Sequence, residues 1–130
     1  MPDERLFHIT TLDEWARSGR AGCHTRSTRG LDLDQVGFIH CSFAHQVSRV
    51  AEALYGDVSE TLVVLEIDPD ALVRHGLVVR VEAADPSSPD AEKFPHLYGA
   101  LPAAAVVGVR SAGFDDEGGF IVGDAIPAEL

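Results

Sequence analysis

The segment Thr61–Ile67, TLVVLEI, is a nearly continuous apolar run of the kind found in strands covered on both faces. It is followed by Asp68-Pro69-Asp70, which reads as a turn or a one-turn helix. A chain holding such a central strand has to supply other strands beside it and apolar cover around it. The chain has 130 residues, 45% of them hydrophobic and 24% charged, which is enough for one compact core, so residues 1–130 read as a single domain.

Other runs supply the remaining elements. Arg5–Thr10 (RLFHIT) reads as a strand, followed by Thr11-Leu12-Asp13-Glu14, a capping-box pattern opening a short helix that Gly19 would end. Gly37–Ser42 (GFIHCS) reads as a second strand. Ser42 then caps a helix whose apolar positions Val47, Val50, Ala51 and Leu54 follow helical spacing up to Gly56. Leu77–Ala83 (LVVRVEA) is a further strand, and the proline-rich segment 85–98 (DPSSPDAEKFPHLY) reads as a long ordered loop. Ala104–Arg110 and Phe120–Val122, separated by the turn residues Asp115 to Gly119, form a final strand pair. The expected class is α+β, with a mainly β core and two short helices.

Charge narrows the partners. Lys+Arg is 10 and Asp+Glu is 21, giving a net charge of −11, and a long nucleic acid would be repelled by such a surface. The first 50 residues nevertheless hold six arginines against six acids, and the run RSGRAGCHTRSTR from position 17 to 29 contains four arginines and no acid. A segment of that kind attracts small anions, and guanidinium groups grip phosphate bidentately. Neither a secretory signal nor an apolar stretch of membrane-spanning length is visible, so a cytoplasmic location without membrane contact is expected. Cys23 and Cys41 imply no disulfide framework, and no metal-ligand spacing is present.

Side chains alternate along a strand, which groups the polar residues. His8 and Thr10 share a face with Leu6; His40 and Ser42 share one with Phe38; Arg80 and Glu82 share one with Val78. Unpartnered polar groups are costly to bury, by a few kcal/mol, so such pairs face solvent, bond one another or line a wet cleft. Three pairs of this type near strand ends fit a shared cleft able to hold ribose hydroxyls and a developing positive charge. His24, His45 and His75 read as solvated, and Trp15 as the core anchor of the first helix.

The strings LFHIT, GFIHCS with the nearby Gln46, LVVLEIDPDAL, VRVEA and FPHLYGAL together resemble the bacterial family catalogued as domain of unknown function 952, over nearly the whole chain. That resemblance implies a compact ADP-ribosyltransferase-like fold with a split β core and an NAD cleft between its halves. In that fold group a His on the first core strand, with a Thr two residues on, holds a ribose; the matching positions are His8 and Thr10. The second motif maps onto His40 and Ser42, with His40 where the fold group carries a tyrosine, and the late-strand acid onto Glu82. Arg26 and Arg80 are then the candidates for phosphate groups. His96 and Tyr98 of FPHLYG stand as polar tips beside the cleft, Tyr98 able to stack on a base.

The resemblance thus implies an NAD-dependent ADP-ribosyl- or phosphate-transfer enzyme, with Glu82 and His40 as its catalytic candidates and a small nucleotide-like ligand. The alternative is a non-catalytic module that binds a nucleotide or another small phosphorylated ligand through the same residues. A third reading, a thiol or metal hydrolase built on His40, Cys41 and His45, is disfavoured because neighbours on a strand point to opposite faces.

Overall fold

The computed structural model describes residues 4–28, 30–83, 87 and 91–127. In chain order its elements are β1 (Leu6–Thr11), α1 (Leu12–Ala21), β2 (Cys23–His24), β3 (Arg26–Thr28), β4 (Leu31–Asp32), α2 (Leu33–Val36), β5 (Ile39–His40), α3 (Val47–Tyr55), β6 (Leu62–Ile67), α4 (Pro69–Arg74), β7 (Val78–Ala83), β8 (Lys93–Tyr98), β9 (Leu101–Pro102), β10 (Val106–Phe114) and β11 (Phe120–Ile126). Single 3-10 turns occupy Ala44–Gln46 and Ala103–Ala105. The class is α+β. Among the described residues no helix is long and apolar enough to cross a membrane.

The apolar run becomes β6, an inner strand of an antiparallel sheet ordered β1-β6-β10-β11. Its alternation feeds two cores. Val63, Leu65 and Ile67 pack with Trp15, Ile39, Leu72, Leu97 and Val109 on one side. Leu62 and Val64 pack with Ile9, Val47, Ala51 and Tyr55 on the other. Each fully buried aliphatic side chain of this kind contributes about 1.5–3 kcal/mol, so β6 anchors both layers.

A second sheet, ordered β5-β8-β7, lies against the larger core through Ile39, Leu97 and Val79. The two sheets are tied by reciprocal backbone bonds between Phe7 and Ser42: Phe7 N–H donates to the Ser42 carbonyl at 2.8 Å, and Ser42 N–H to that of Phe7 at 2.7 Å. Two further two-stranded ladders, β2-β9 and β3-β4, close the region beside α1.

Several expectations require correction. Four α-helices are present among the described residues where two were expected. After β6 the helical alternative of the two expected is realised and runs longer than one turn, as α4: the Asp68 side chain accepts from Asp70 N–H and Pro69 pre-sets the first helical φ. α1 runs through Gly19 to Ala21, because Gly22, at φ +89°, provides the left-handed C-cap that Gly19 does not. Gln46, rather than Ser42, begins α3. GFIHCS contributes only Ile39–His40 as a strand. The end of the proline-rich segment forms β8, the middle strand of the second sheet. Residues 84–86 and 88–90, most of the remaining stretch, lie outside the described residues, as does Arg29.

Candidate functional site

The second sheet presents one polar and aromatic face. Its register sets His40 opposite His96, Arg80 opposite His96 on the other side, Glu82 opposite Phe94, and Val78 opposite Tyr98. Strand alternation therefore places His40, Phe94, His96, Tyr98, Arg80 and Glu82 together, while Ile39, Leu97 and Val79 point into the core. Five of the sequence-derived candidates thus meet on one surface.

Glu82 is the centre of that surface. Its Oε2 accepts from the Tyr98 hydroxyl and from His96 Nδ1 at 3.0 Å. These two donors, Tyr98 first, hold the Glu82 carboxyl below the usual carboxylate range, and the same bond pushes the Tyr98 phenol up. Among the described residues Oε1 accepts no hydrogen bond. Arg80 lies over the Tyr98 ring, 5.3 Å from its centroid. His96 is fully buried and stacked on Phe38 with ring centroids 3.9 Å apart, and among the described residues its Nε2 has no hydrogen-bond partner. An unpaired nitrogen in a buried ring costs desolvation energy that a ligand or water can recover. The His40 ring stands 5.5 Å from His96 and 5.0 Å from Phe94, and burial, with the neighbouring His96 and His8 rings, lowers it to about 4.

The other candidates are elsewhere. His8 and Thr10 are buried and occupied within the protein. His8 Nδ1 lies 2.7 Å from the His40 carbonyl oxygen, which can only accept, so Nδ1 carries the proton. In the neutral ring Nε2 then accepts from His24 Nε2 at 3.1 Å, and His24 Nδ1 lies 2.6 Å from the Ser18 hydroxyl oxygen, whose one proton is shared with the Glu14 carbonyl oxygen at 2.9 Å. Burial holds His8 at about 4 and His24 at about 3, so this chain is uncharged at neutral pH. Thr10 donates to Glu14 Oε2 at 3.2 Å. Arg26 pairs with Glu14 at 3.1 Å and with Asp32 at 3.4 Å. Glu14, Arg17, Ser18, His24, Arg26 and Asp32 border a separate cleft of about 340 Å³. The Ser42 side chain lines a small pocket with Ser27, Val50 and Tyr55.

Sequence reasoning missed His24, which is 1% exposed instead of solvated. It sits in β2 with its ring 5.0 Å from His8 and 6.4 Å from Trp15. The signal available was alternation within the short run CHTRS, masked by Arg26 and the arginines flanking the run. Cys41 is buried and its thiol is pushed up to about 12 by burial, with Sγ directed at the Ile39 carbonyl, which leaves no thiolate to pair with His40 or His45. Among the described residues no group of three or more His, Cys, Asp or Glu side chains is arranged to hold a metal ion.

The chain is similar to protein CC0527 from Caulobacter crescentus, whose crystal structure matches 90% of this chain and 93% of its own with a TM-score of 0.72 and 25% identity. A double mutant of that protein matches equally. No curated protein matches the chain. Residues 9–109, spanning β1 to β10 and including His40, Glu82, His96 and Tyr98, match the family described as protein of unknown function (DUF952), and the chain belongs to that family.

Proposed function

We propose that this protein takes a small nucleotide-like ligand, NAD foremost, on the polar face of the β5-β8-β7 sheet, and that Glu82 drives ADP-ribosyl or phosphate transfer there. The observation that supports this reading most is the state of Glu82. Its carboxylate is kept ionised by Tyr98 and His96 through one oxygen, while Oε1 is left to accept from a ribose hydroxyl. A charge fixed in advance stabilises an oxocarbenium-like centre without reorganisation when the glycosidic bond breaks. Arg80, on the same face, supplies the cation for a phosphate group. His40, neutral at physiological pH, accepts a proton or a hydrogen bond from the attacking acceptor. His8 serves as a positioning residue, fixing the His40 backbone, and an ADP-ribosyltransferase-like arrangement of the two sheets belongs to this reading.

A second reading, ligand binding without turnover, is favoured by one observation: His8 and Thr10 are buried and occupied in internal bonds, not presented to a ligand. Incubation with NAD separates the two. Release of nicotinamide by the wild type and its loss in Glu82→Gln supports the transferase. Thermal stabilisation by NAD without release supports the binding module. Neither release nor stabilisation removes both.

A further inference from the structure

The Glu82 face continues into a groove of about 400 Å³ between α3 and β8. His40 and Phe94 belong to both. Phe94 is the cross-strand neighbour of Glu82, so a ligand group in the groove is one strand spacing from the carboxylate. The groove wall on the α3 side is Val50, Ala53 and Leu54, and Leu54 is 41% exposed despite its size.

The groove is held open by a fixed polar frame at one end. Arg49 donates to both oxygens of Glu92, at 2.8 and 2.5 Å, and the buried Gln46 donates through Nε2 to Glu92 at 2.9 Å and to the Lys93 carbonyl at 2.8 Å. These bonds, Arg49 first, hold the Glu92 carboxyl down at about 2. Gln46 Oε1 also accepts from Phe43 N–H at 3.0 Å, so one side chain ties the start of α3 to the start of β8. The walls are therefore preformed, which is the usual condition of a small-molecule site: apolar lining, a few placed polar groups, and a volume of roughly 300–1,000 Å³.

We infer that this groove is the subsite for a planar aromatic ring, the base or pyridine ring of the ligand whose ribose Glu82 addresses; the inference rests on the reading of Glu82 given above. Two tilted rings, His40 and Phe94 with centroids 5.0 Å apart, offer edge and face contacts to a third ring. Three aliphatic side chains cover its other side. A sugar or phosphate placed against Val50, Ala53 and Leu54 would leave its polar groups without partners, which the ring does not. The Arg49 guanidinium, fixed by Glu92, stands at the rim where a ring face can stack on it.

The test uses the whole chain with NAD, adenosine, nicotinamide riboside, ribose 5-phosphate and decanoate as probes in saturation-transfer NMR and calorimetry. Ring-bearing probes are expected to bind, with ring protons receiving the strongest saturation, and ribose 5-phosphate and decanoate to bind at least tenfold more weakly. Ala53→Trp, at an exposed helix position, fills the groove and is expected to weaken the ring-bearing probes at least tenfold. Phe94→Leu keeps the position apolar, removes the ring and is expected to weaken them severalfold; it keeps the test decisive if the tryptophan variant does not fold. Ring probes that bind as before in both variants but are lost in Glu82→Gln overturn the subsite and leave the Glu82 reading standing. Loss in the groove variants with no effect of Glu82→Gln supports the groove and overturns the Glu82 reading. Preference for decanoate, or no binding by any probe, overturns the inference.

Discussion

Lowering the pH from 7 to 5 should remove about 6 kcal/mol from the stability of this protein through three histidines, the buried His8 and His24 and the half-buried His40. His8, His24 and His40 titrate at about 4, 3 and 4 in the folded chain, because burial disfavours the imidazolium. In the unfolded chain each returns to about 6.5. Above pH 7 both states are neutral and the groups do not distinguish them. As pH falls through 6.5 the unfolded chain takes up protons that the folded chain does not, so stability falls, and it continues to fall until the folded values are reached. Between pH 7 and pH 5 each histidine costs about 2 kcal/mol, and the three together about 6 kcal/mol, comparable with the roughly 5–15 kcal/mol available to a domain. Trp15 is the only tryptophan, is 2% exposed and lies 6.4 Å from the His24 ring, so its emission reports unfolding at this site. Urea titrations followed by that emission should give midpoints that are flat from pH 8 to 7 and then drop steeply. His24→Gln should remove roughly a third of the slope. A stability unchanged between pH 7 and pH 5 would refute the neutral buried chain from Ser18 to His40.

Leu65→Ala, at a fully buried position of β6, should cost about 2–5 kcal/mol in urea unfolding, and a loss below about 1 kcal/mol would mean that β6 is not central to the core. Iodoacetamide at mildly alkaline pH should label Cys23 in the native protein and spare Cys41, whose thiol titrates at about 12, with both labelled in concentrated guanidinium; equal native rates would contradict the burial of Cys41.

The strands that sequence periodicity located well are those whose faces differ or whose apolar run is unbroken. β1, β6 and β7 fall within a residue of the expected bounds, and the face groupings of His8 with Thr10 and of Arg80 with Glu82 hold. β8 was hidden by Pro95, since a proline argues against an inner strand. It is tolerated because β5 ends at His40: the Pro95 carbonyl still accepts from Cys41 N–H at 3.0 Å, and the missing N–H points to the same side, beyond the end of β5. His24 was hidden by charge, because arginines around it made a strand look like a solvated loop. The division of the candidates into two groups was not legible at all. Alternation says which residues share a face of one strand, whereas the register between β5, β8 and β7 decides which strands share a site, and that register is a long-range property.

The bond from His8 reaches residue 40 at its backbone carbonyl, not at its imidazole. Any amino acid at that position keeps the carbonyl and with it the link between the two sheets' polar groups. Replacing the His40 side chain would therefore remove the proposed proton acceptor and reshape the groove beside Phe94, yet leave the Ser18–His24–His8 chain behind it in place. Site chemistry and scaffold are separable at a single residue.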